Sequence, residues 1–379
     1  MNVLFITRGY PSLNNPMNGN YEAIQAHAIA ANGHQVSVLS VRWRSIFHIL
    51  EKNKLLYRED GDINVYEIVI STYYIPYVST IIGGNKILEN FFERKLFKSK
   101  SKQFLLQHPE FDIIHVHNVR IASFAISIKD YSNIPIVITE HLSLLNLGVI
   151  DNTIKSYGKA YMRSDSVITV STALSDALKL HFNIDSHVIN NMVENRFFER
   201  KKQNETKNDK FTFVTVGRLV PIKCFDVLIK AISVLKRRDD TRLIIIGEGP
   251  ERSRLENLIK ENGLRGVVEL AGLKQPDEVA ELLSKADCFV LSSKRETFGI
   301  VLIEAMAKGL PVICTRCGGP EDFVTKDCGL FVAPNAPQEM AEAMDYSMDH
   351  VNEYDNEYIR RITYEKFSEE YISGQILKV

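Results

Sequence analysis

The sequence predicts an α/β protein built from two Rossmann-like domains facing across a cleft. Its 379 residues exceed what one hydrophobic core normally serves. Short β-branched runs alternate with amphipathic helical patterns from end to end, the signature of parallel sheets wrapped by helices. One interruption divides the alternation: residues 200–210 are eleven in a row without an apolar side chain, as expected of a solvated linker.

Taken in order, the apolar runs of the first half place strands at 3–7, 35–41, 64–70, 112–117, 134–141, 166–171 and 187–190. An amphipathic helix, 21–32, follows the Gly19-Asn20 loop and is closed by Gly33. Asp60-Gly61-Asp62 superficially offers an acidic pair for a metal, but between two β-branched runs Asp-Gly reads as a hairpin turn. The second half begins at Phe211, with strands at 213–216, 242–247, 267–271, 288–292, 311–315 and 329–332. Helices are expected at 225–237 and at 255–261, the latter stopped by Asn262-Gly263. In open α/β sheets ligands bind beyond the carboxyl ends of the strands, so facing halves would enclose one between them.

Composition narrows the classes of function. Lys and Arg number 46 against 47 Asp and Glu, a formal charge of −1, so no global field recruits nucleic acid. No apolar run approaches the ~20 residues that span a bilayer. The apolar start, residues 1–8, reads as a first strand rather than a signal peptide, which makes the cytoplasm the expected compartment. The five cysteines, Cys224, Cys288, Cys314, Cys317 and Cys328, include one Cys-x-x-Cys without a second ligand pair. They read as reduced, mostly buried residues, not a zinc site.

The chemistry-bearing residues concentrate in the second half. Glu296 and Glu304 flank Gly299, the first in a loop and the second within a helix, so the helix N-terminus lies between them. Unpaired amides and the macrodipole at such a terminus attract phosphate. If the helix starts near Gly299, Glu304 lies about 7–8 Å along it, at ~1.5 Å per residue, the order of a sugar diphosphate's span. Arg218 ends the first strand of this half and Lys223 follows five residues later; a guanidinium fork and a point charge converging there suit a diphosphate. In the first half, Gly19 lets the backbone approach a phosphate at a helix start. His141 ends the apolar run 134–140, which places it at the carboxyl end of a strand; His115 and His117 close the preceding strand.

In order and spacing these blocks resemble the GT-B retaining glycosyltransferases of family four (glycosyl transferases group 1). The likeness runs through Gly217-Arg218-Leu219 with Lys223, Ile245-Ile246-Gly247-Glu248-Gly249-Pro250, Glu269-Leu270-Ala271-Gly272, Glu296-Thr297-Phe298-Gly299 to Glu304, and Gly318-Gly319-Pro320-Glu321. The first half is similar more loosely, with Gly19-Asn20 where relatives often carry Gly-Gly.

The resemblance implies an N-terminal acceptor-binding domain, 1–200, and a C-terminal domain binding the nucleotide sugar, 208–361. A terminal helix, 362–379, would pack back on the first domain. It also implies that Arg218 and Lys223 grip the diphosphate of a UDP- or GDP-linked donor and that Glu304 binds its ribose. Glu296 would hold the transferred sugar, with the amides of Phe298, Gly299, Ile300 and Val301 capping sugar and phosphate. His141 would line the reaction centre. The implied activity is transfer of a sugar, with retention and without a metal cofactor, to a saccharide or lipid-linked acceptor in surface polysaccharide or lipopolysaccharide biosynthesis. Rival readings are a nucleotide-sugar epimerase, a glycosyl phosphorylase, and a catalytically silent nucleotide-binding scaffold subunit. Residues 86–102 carry six basic and two acidic side chains around apolar ones, which suits either peripheral membrane contact or a helix packed on its own domain.

Overall fold

The computed structural model describes residues 1–12, 18–45, 55–72, 86–141, 145, 152–199 and 209–379; at 42–45, 70–72, 86–92, 152–153 and 155–156 it describes the backbone alone. Most of the polar run, 200–208, lies outside the described residues.

The first sheet comprises β1 (Asn2–Thr7), β2 (Gln35–Ser45), β3 (Leu55–Asp60), β4 (Ile63–Thr72), β5 (Ile113–His117), β6 (Ile136–Glu140), β7 (Ser166–Thr169) and β8 (His187–Val188), in the order β3-β4-β2-β1-β5-β6-β7-β8. Every pairing is parallel except the β3–β4 hairpin. Its turn is Asp60-Gly61-Asp62, with Gly61 at φ 58°, so the acidic pair serves the turn. Asp60 also accepts from Tyr10 Oη at 2.9 Å and meets His27 Nε2 at 3.1 Å, tying the hairpin to the loop after β1 and to the helix Asn20–Ala31.

The second sheet is entirely parallel: β9 (Phe211–Val216), β10 (Thr241–Ile246), β11 (Val268–Gly272), β12 (Cys288–Leu291), β13 (Val312–Thr315) and β14 (Gly329–Val332), ordered β11-β10-β9-β12-β13-β14. Leu243 to Ile246 are buried in succession, as a parallel strand covered on both faces requires. Helices Phe225–Val234 and Pro337–His350 add Leu228, Ile232, Met340 and Met344 to that core. In both sheets the chain builds outward on one side, then returns to the middle to build the other. The reversals fall between β1 and β5 and between β9 and β12. At such switch points adjacent loops diverge and leave a crevice beyond the strand ends.

By their contacts the residues form two units: 1–170, 174–189 and 373–379 in one, 171–173 and 190–372 in the other. The first unit gives up the chain at 189, ahead of the polar run where the sequence suggested the boundary. The reason is packing: Phe197 and Phe198 are buried, Lys308 Nζ donates to the carbonyls of Arg196 and Glu199 at 3.0 Å, and Arg360 donates to that of Phe198. The expected terminal helix 362–379 is two helices, Asn356–Phe367 and Glu369–Ile376, broken at Ser368, and only 373–379 belong to the first unit. There Ser373 Oγ accepts from Asn32 Nδ2 at 2.8 Å. The expected helix 225–237 stops at Val234, because Leu235 turns extended into the core and the following charges tie to the neighbouring helix through Arg237–Asp349, 2.7 Å.

Cys224, Cys288, Cys314, Cys317 and Cys328 are free thiols and buried. The helix Lys86–Gln107 buries Phe97 and Phe104 in its own unit, with Lys98 paired to Asp130 at 2.7 Å. Among the described residues no helix is long and apolar enough to cross a membrane.

Candidate functional site

The second unit assembles its site at the β9/β12 switch point. β9 ends in Gly217-Arg218-Leu219, and this loop is locked by the one after β10. Gly217 N donates to Ile246 O at 2.9 Å, Leu219 N to Glu248 O at 2.9 Å, and Glu251 N to Leu219 O at 3.1 Å. The loops lie so close that a Cβ on Gly247, which has φ 145°, would fall on the carbonyl of Gly217. The Gly247-Glu248-Gly249 block is thus a clamp that fixes where Arg218 leaves the backbone. Arg218 itself is exposed, with no ion pair among the described residues. Lys223 ends a single 3-10 turn, Pro221–Lys223, ahead of the helix, which starts at Phe225 after Cys224 in the left-handed region.

β12 ends beside it. Ser292 Oγ donates to Lys223 O at 2.8 Å and Lys294 N to Ile222 O at 2.8 Å, so the two strand-end loops are stitched together. The result is a direct ion pair: Lys223 Nζ lies 2.6 Å from Glu296 Oε1, with the two side chains 21% and 13% exposed. The same oxygen accepts from Ser293 Oγ at 2.6 Å. Ser293 is buried, and its carbonyl accepts from Thr315 Oγ1 at 2.5 Å, which anchors it to β13.

Glu296 N donates to Cys317 O at 2.9 Å and Gly319 N to Glu296 O at 3.2 Å, a short bridge between the 296–299 loop and the 317–319 loop. Gly319 has no room for a side chain: a Cβ there would meet Phe298 Cα and come 2.6 Å from its N and O. The Phe298 ring is buried against Phe323 and Phe367. Gly299 then takes φ 97° and is the N-cap of the helix Ile300–Ala307. No side chain caps this terminus, so the first-turn amides, Ile300 and Val301 among them, face outward without intrahelical acceptors. One turn further on sits Glu304, half-buried. Burial, reinforced by the nearby charge of Glu194, pushes its carboxyl up to about 8. Arg218, Lys223, Glu296, Phe298 to Val301 and Glu304 therefore share one strand-end region, with Lys223 and Glu296 in contact.

Gly19 and His141 belong to the first unit. Gly19, φ 73°, is the N-cap of Asn20–Ala31 and packs against the backbone of Gly9 in the loop after β1; a Cβ there would collide with the Gly9 carbonyl. His141 follows β6. Its amide donates at 2.8 Å to Glu140, a fully buried carboxylate that also accepts from Val119 N at 3.1 Å and Tyr161 Oη at 2.5 Å. Burial holds the imidazole of His141 at about 4, so it is neutral at ordinary pH. His115 and His117 are both buried, and His117 Nδ1 lies 3.3 Å from His141 Nε2.

Ser293, Gly319 and the Gly247–Gly249 clamp were not singled out from residue chemistry. A Ser three residues before a loop Glu is a local signal that could have flagged the first. The others act by close backbone approach and leave no chemical signature beyond being Gly.

Residues 23–196 match the family model for Glycosyltransferase Family 4, and residues 196–363 match that for Glycosyl transferases group 1. The chain is 28% identical over 358 residues to the putative teichuronic acid biosynthesis glycosyltransferase TuaC of Bacillus subtilis, covering 91% of this chain and 88% of that one. It superposes on sucrose-phosphate synthase from Thermosynechococcus elongatus with a TM-score of 0.77 at 19% identity, over 100% of this chain and 97% of the other. Anabaena HepE in complex with UDP and glucose gives 0.74 at 18% identity, over 100% and 98%. At these identities the structural likeness is one of fold.

Proposed function

We propose that this chain, which belongs to the family-four glycosyltransferases and has their GT-B fold, transfers a sugar from a nucleoside diphosphate to a saccharide or lipid-linked saccharide acceptor with retention of anomeric configuration. The observation that carries the reading is the Lys223–Glu296 pair, steadied by Ser293 and set beside the open amides after Gly299. The pair combines a cation for a departing diphosphate with a carboxylate for sugar hydroxyls in one loop cluster. Sugar transfer requires both at adjacent positions.

In this mechanism Arg218, Lys223 and the amides of Ile300 and Val301 stabilise the charge that grows on the leaving diphosphate. They provide the positive potential that a metal supplies elsewhere, so activity should survive chelation. Glu304 accepts from the ribose, and Glu296 from hydroxyls of the transferred sugar. The bond from the anomeric carbon to the phosphate oxygen breaks, a bond to the acceptor oxygen forms on the same face, and the acceptor's proton goes to the departing phosphate. No side chain then needs to act as general base.

The relative named for teichuronic acid biosynthesis supports surface polysaccharide or lipopolysaccharide assembly as the pathway, and the neighbour solved with UDP supports a UDP-linked donor, with GDP the alternative. Such assembly would place the protein at the cytoplasmic face of a membrane. The helix Lys86–Gln107 leaves Arg94, Lys95 and Lys102 exposed, which supports peripheral contact with anionic lipid; failure to co-sediment with anionic liposomes at low salt would remove that contact.

A thermal-shift screen against UDP, GDP, ADP and their sugars tests the donor, because a preferred ligand stabilises by linkage. Glu296→Ala should abolish most turnover of the preferred donor while leaving nucleotide binding largely intact. Arg218→Ala should weaken nucleotide binding itself. Epimerised donor in the absence of acceptor would favour the epimerase reading, and binding without turnover on any acceptor the silent scaffold.

A further inference from the structure

β12 and β13 run in parallel register as far as Leu291 and Cys314, and the same two chains meet again where Glu296 bridges Gly318. Between those two points residues 292–295 lie on the β12 side and only 315–317 on the β13 side, so the β12 side carries one residue more. An extra residue on one of two paired chains interrupts the ladder, bows that chain and re-aims its side chains. Here the bowed segment leans on the loop after β9, with Ser292 Oγ donating to Lys223 O at 2.8 Å and Lys294 N to Ile222 O at 2.8 Å. At the same place Ser293 Oγ is aimed at Glu296 Oε1, 2.6 Å away, and Lys223 Nζ reaches that oxygen at 2.6 Å. Neighbouring serines thus hold the two members of the ion pair, Ser292 the backbone of Lys223 and Ser293 the carboxylate of Glu296.

What fixes the bowed segment itself is the last residue of β13. Thr315 is fully buried and its Oγ1 donates to Ser293 O at 2.5 Å, so a side-chain hydroxyl takes over where the backbone ladder stops. Ser293 is buried too, and a carbonyl withdrawn from water needs a donor. Each hydroxyl has one proton to give: that of Thr315 goes to the Ser293 carbonyl, and that of Ser293 to the carboxylate. The path closes on the β13 side, because Glu296 N donates to Cys317 O at 2.9 Å. Glu296 is therefore tied to this chain twice, by its own amide and, through Ser293, by the hydroxyl of Thr315. We infer that Thr315 is a positioning residue, the pin that sets the bow of 292–295 and with it the place of the Glu296 carboxylate opposite Lys223. Its effect on turnover rests on the role proposed above for Glu296 at the transferred sugar; its effect on the ion pair does not.

Thr315→Val keeps a β-branched side chain of nearly the same volume in β13 and removes only the hydroxyl; Thr315→Ser returns it. In the ligand-free protein, a double-mutant cycle of Lys223→Met, Glu296→Gln and the pair, followed by urea unfolding, measures the coupling between the two charges. In the Thr315→Val background that coupling should fall to half or less of its wild-type value, and the Thr315→Ser background should give most of it back. Equal coupling in the wild-type and Thr315→Val backgrounds would overturn the inference, and so would a loss that Thr315→Ser does not reverse. In turnover, Thr315→Val should lower kcat roughly tenfold or more while the Kd of the free nucleoside diphosphate, read by calorimetry, changes less than about twofold. Thr315→Ser should recover kcat. Coupling lost in Thr315→Val with kcat unaffected would uphold Thr315 as the pin and instead remove Glu296 from the transferred sugar.

Discussion

Replacing Lys223 by Met removes the charge facing Glu296 while keeping most of the side-chain volume. At 2.6 Å and an effective dielectric of ~20, the gross attraction is about 6 kcal/mol. Both side chains are largely withdrawn from water, and the loss of hydration on folding offsets several kcal/mol of that. A net coupling of about 1.5–3 kcal/mol remains, the range of a hydrogen bond between charged groups. A double-mutant cycle of Lys223→Met, Glu296→Gln and the pair, read by urea unfolding without ligand, isolates it. Lys223→Met should be the costlier single change, because it takes the cation away from a carboxylate largely withdrawn from water. Adding Glu296→Gln should restore part of the loss. For a unit of this size, the coupling corresponds to roughly 3–12 °C in Tm. Additive single changes, with a coupling below about 0.5 kcal/mol, would refute the pair as a feature of the resting site.

Ser293→Ala removes the second donor to Glu296 Oε1 and should cost about 1–3 kcal/mol in stability and lower kcat more than it raises donor KM; unchanged kcat would exclude a role in orienting Glu296. Gly319→Ala has no positive φ to relieve, yet its Cβ would press on the Phe298 backbone, so it should displace the 296–299 loop and impair donor turnover, as read from KM and kcat together. Glu304, raised from 4.5 to about 8, favours the protonated folded state, so its contribution to stability is present below 4.5 and is lost as pH rises through 8. If ribose hydroxyls donate to its carboxylate, nucleotide diphosphate binding should release a proton and tighten with rising pH up to about 8, and Glu304→Gln should abolish that dependence in calorimetry. Burial raises Cys224, Cys288, Cys314 and Cys317, the last to about 12; a disulfide reagent should therefore find almost no thiol in the native protein and all five after unfolding.

The sequence by itself determined the strands and the tight turns, which depend on local pattern, but not every helix end: 225–237 stops at Val234 and 362–379 breaks at Ser368. Apolar runs between turn residues located the strands, because a parallel strand buried on both faces needs continuous apolar side chains. Asp60-Gly61 announced its hairpin, and Gly299 announced a helix start, because both need a left-handed backbone that Gly adopts without strain. Glu296 and Glu304 were legible as residues on either side of that start. Tertiary structure decided which groups meet. β12 comes to lie beside β9 only when the sheet orders itself, and that order brings Glu296 to Lys223, 73 positions away in the chain. It also decided that Gly319 rests on Phe298, that 190–199 pack with the second unit, and that His117 turns its Nδ1 to His141. Side-chain periodicity records which face of an element is covered but carries no record of which distant strand lies next to it; only packing the assembled sheet sets that neighbour.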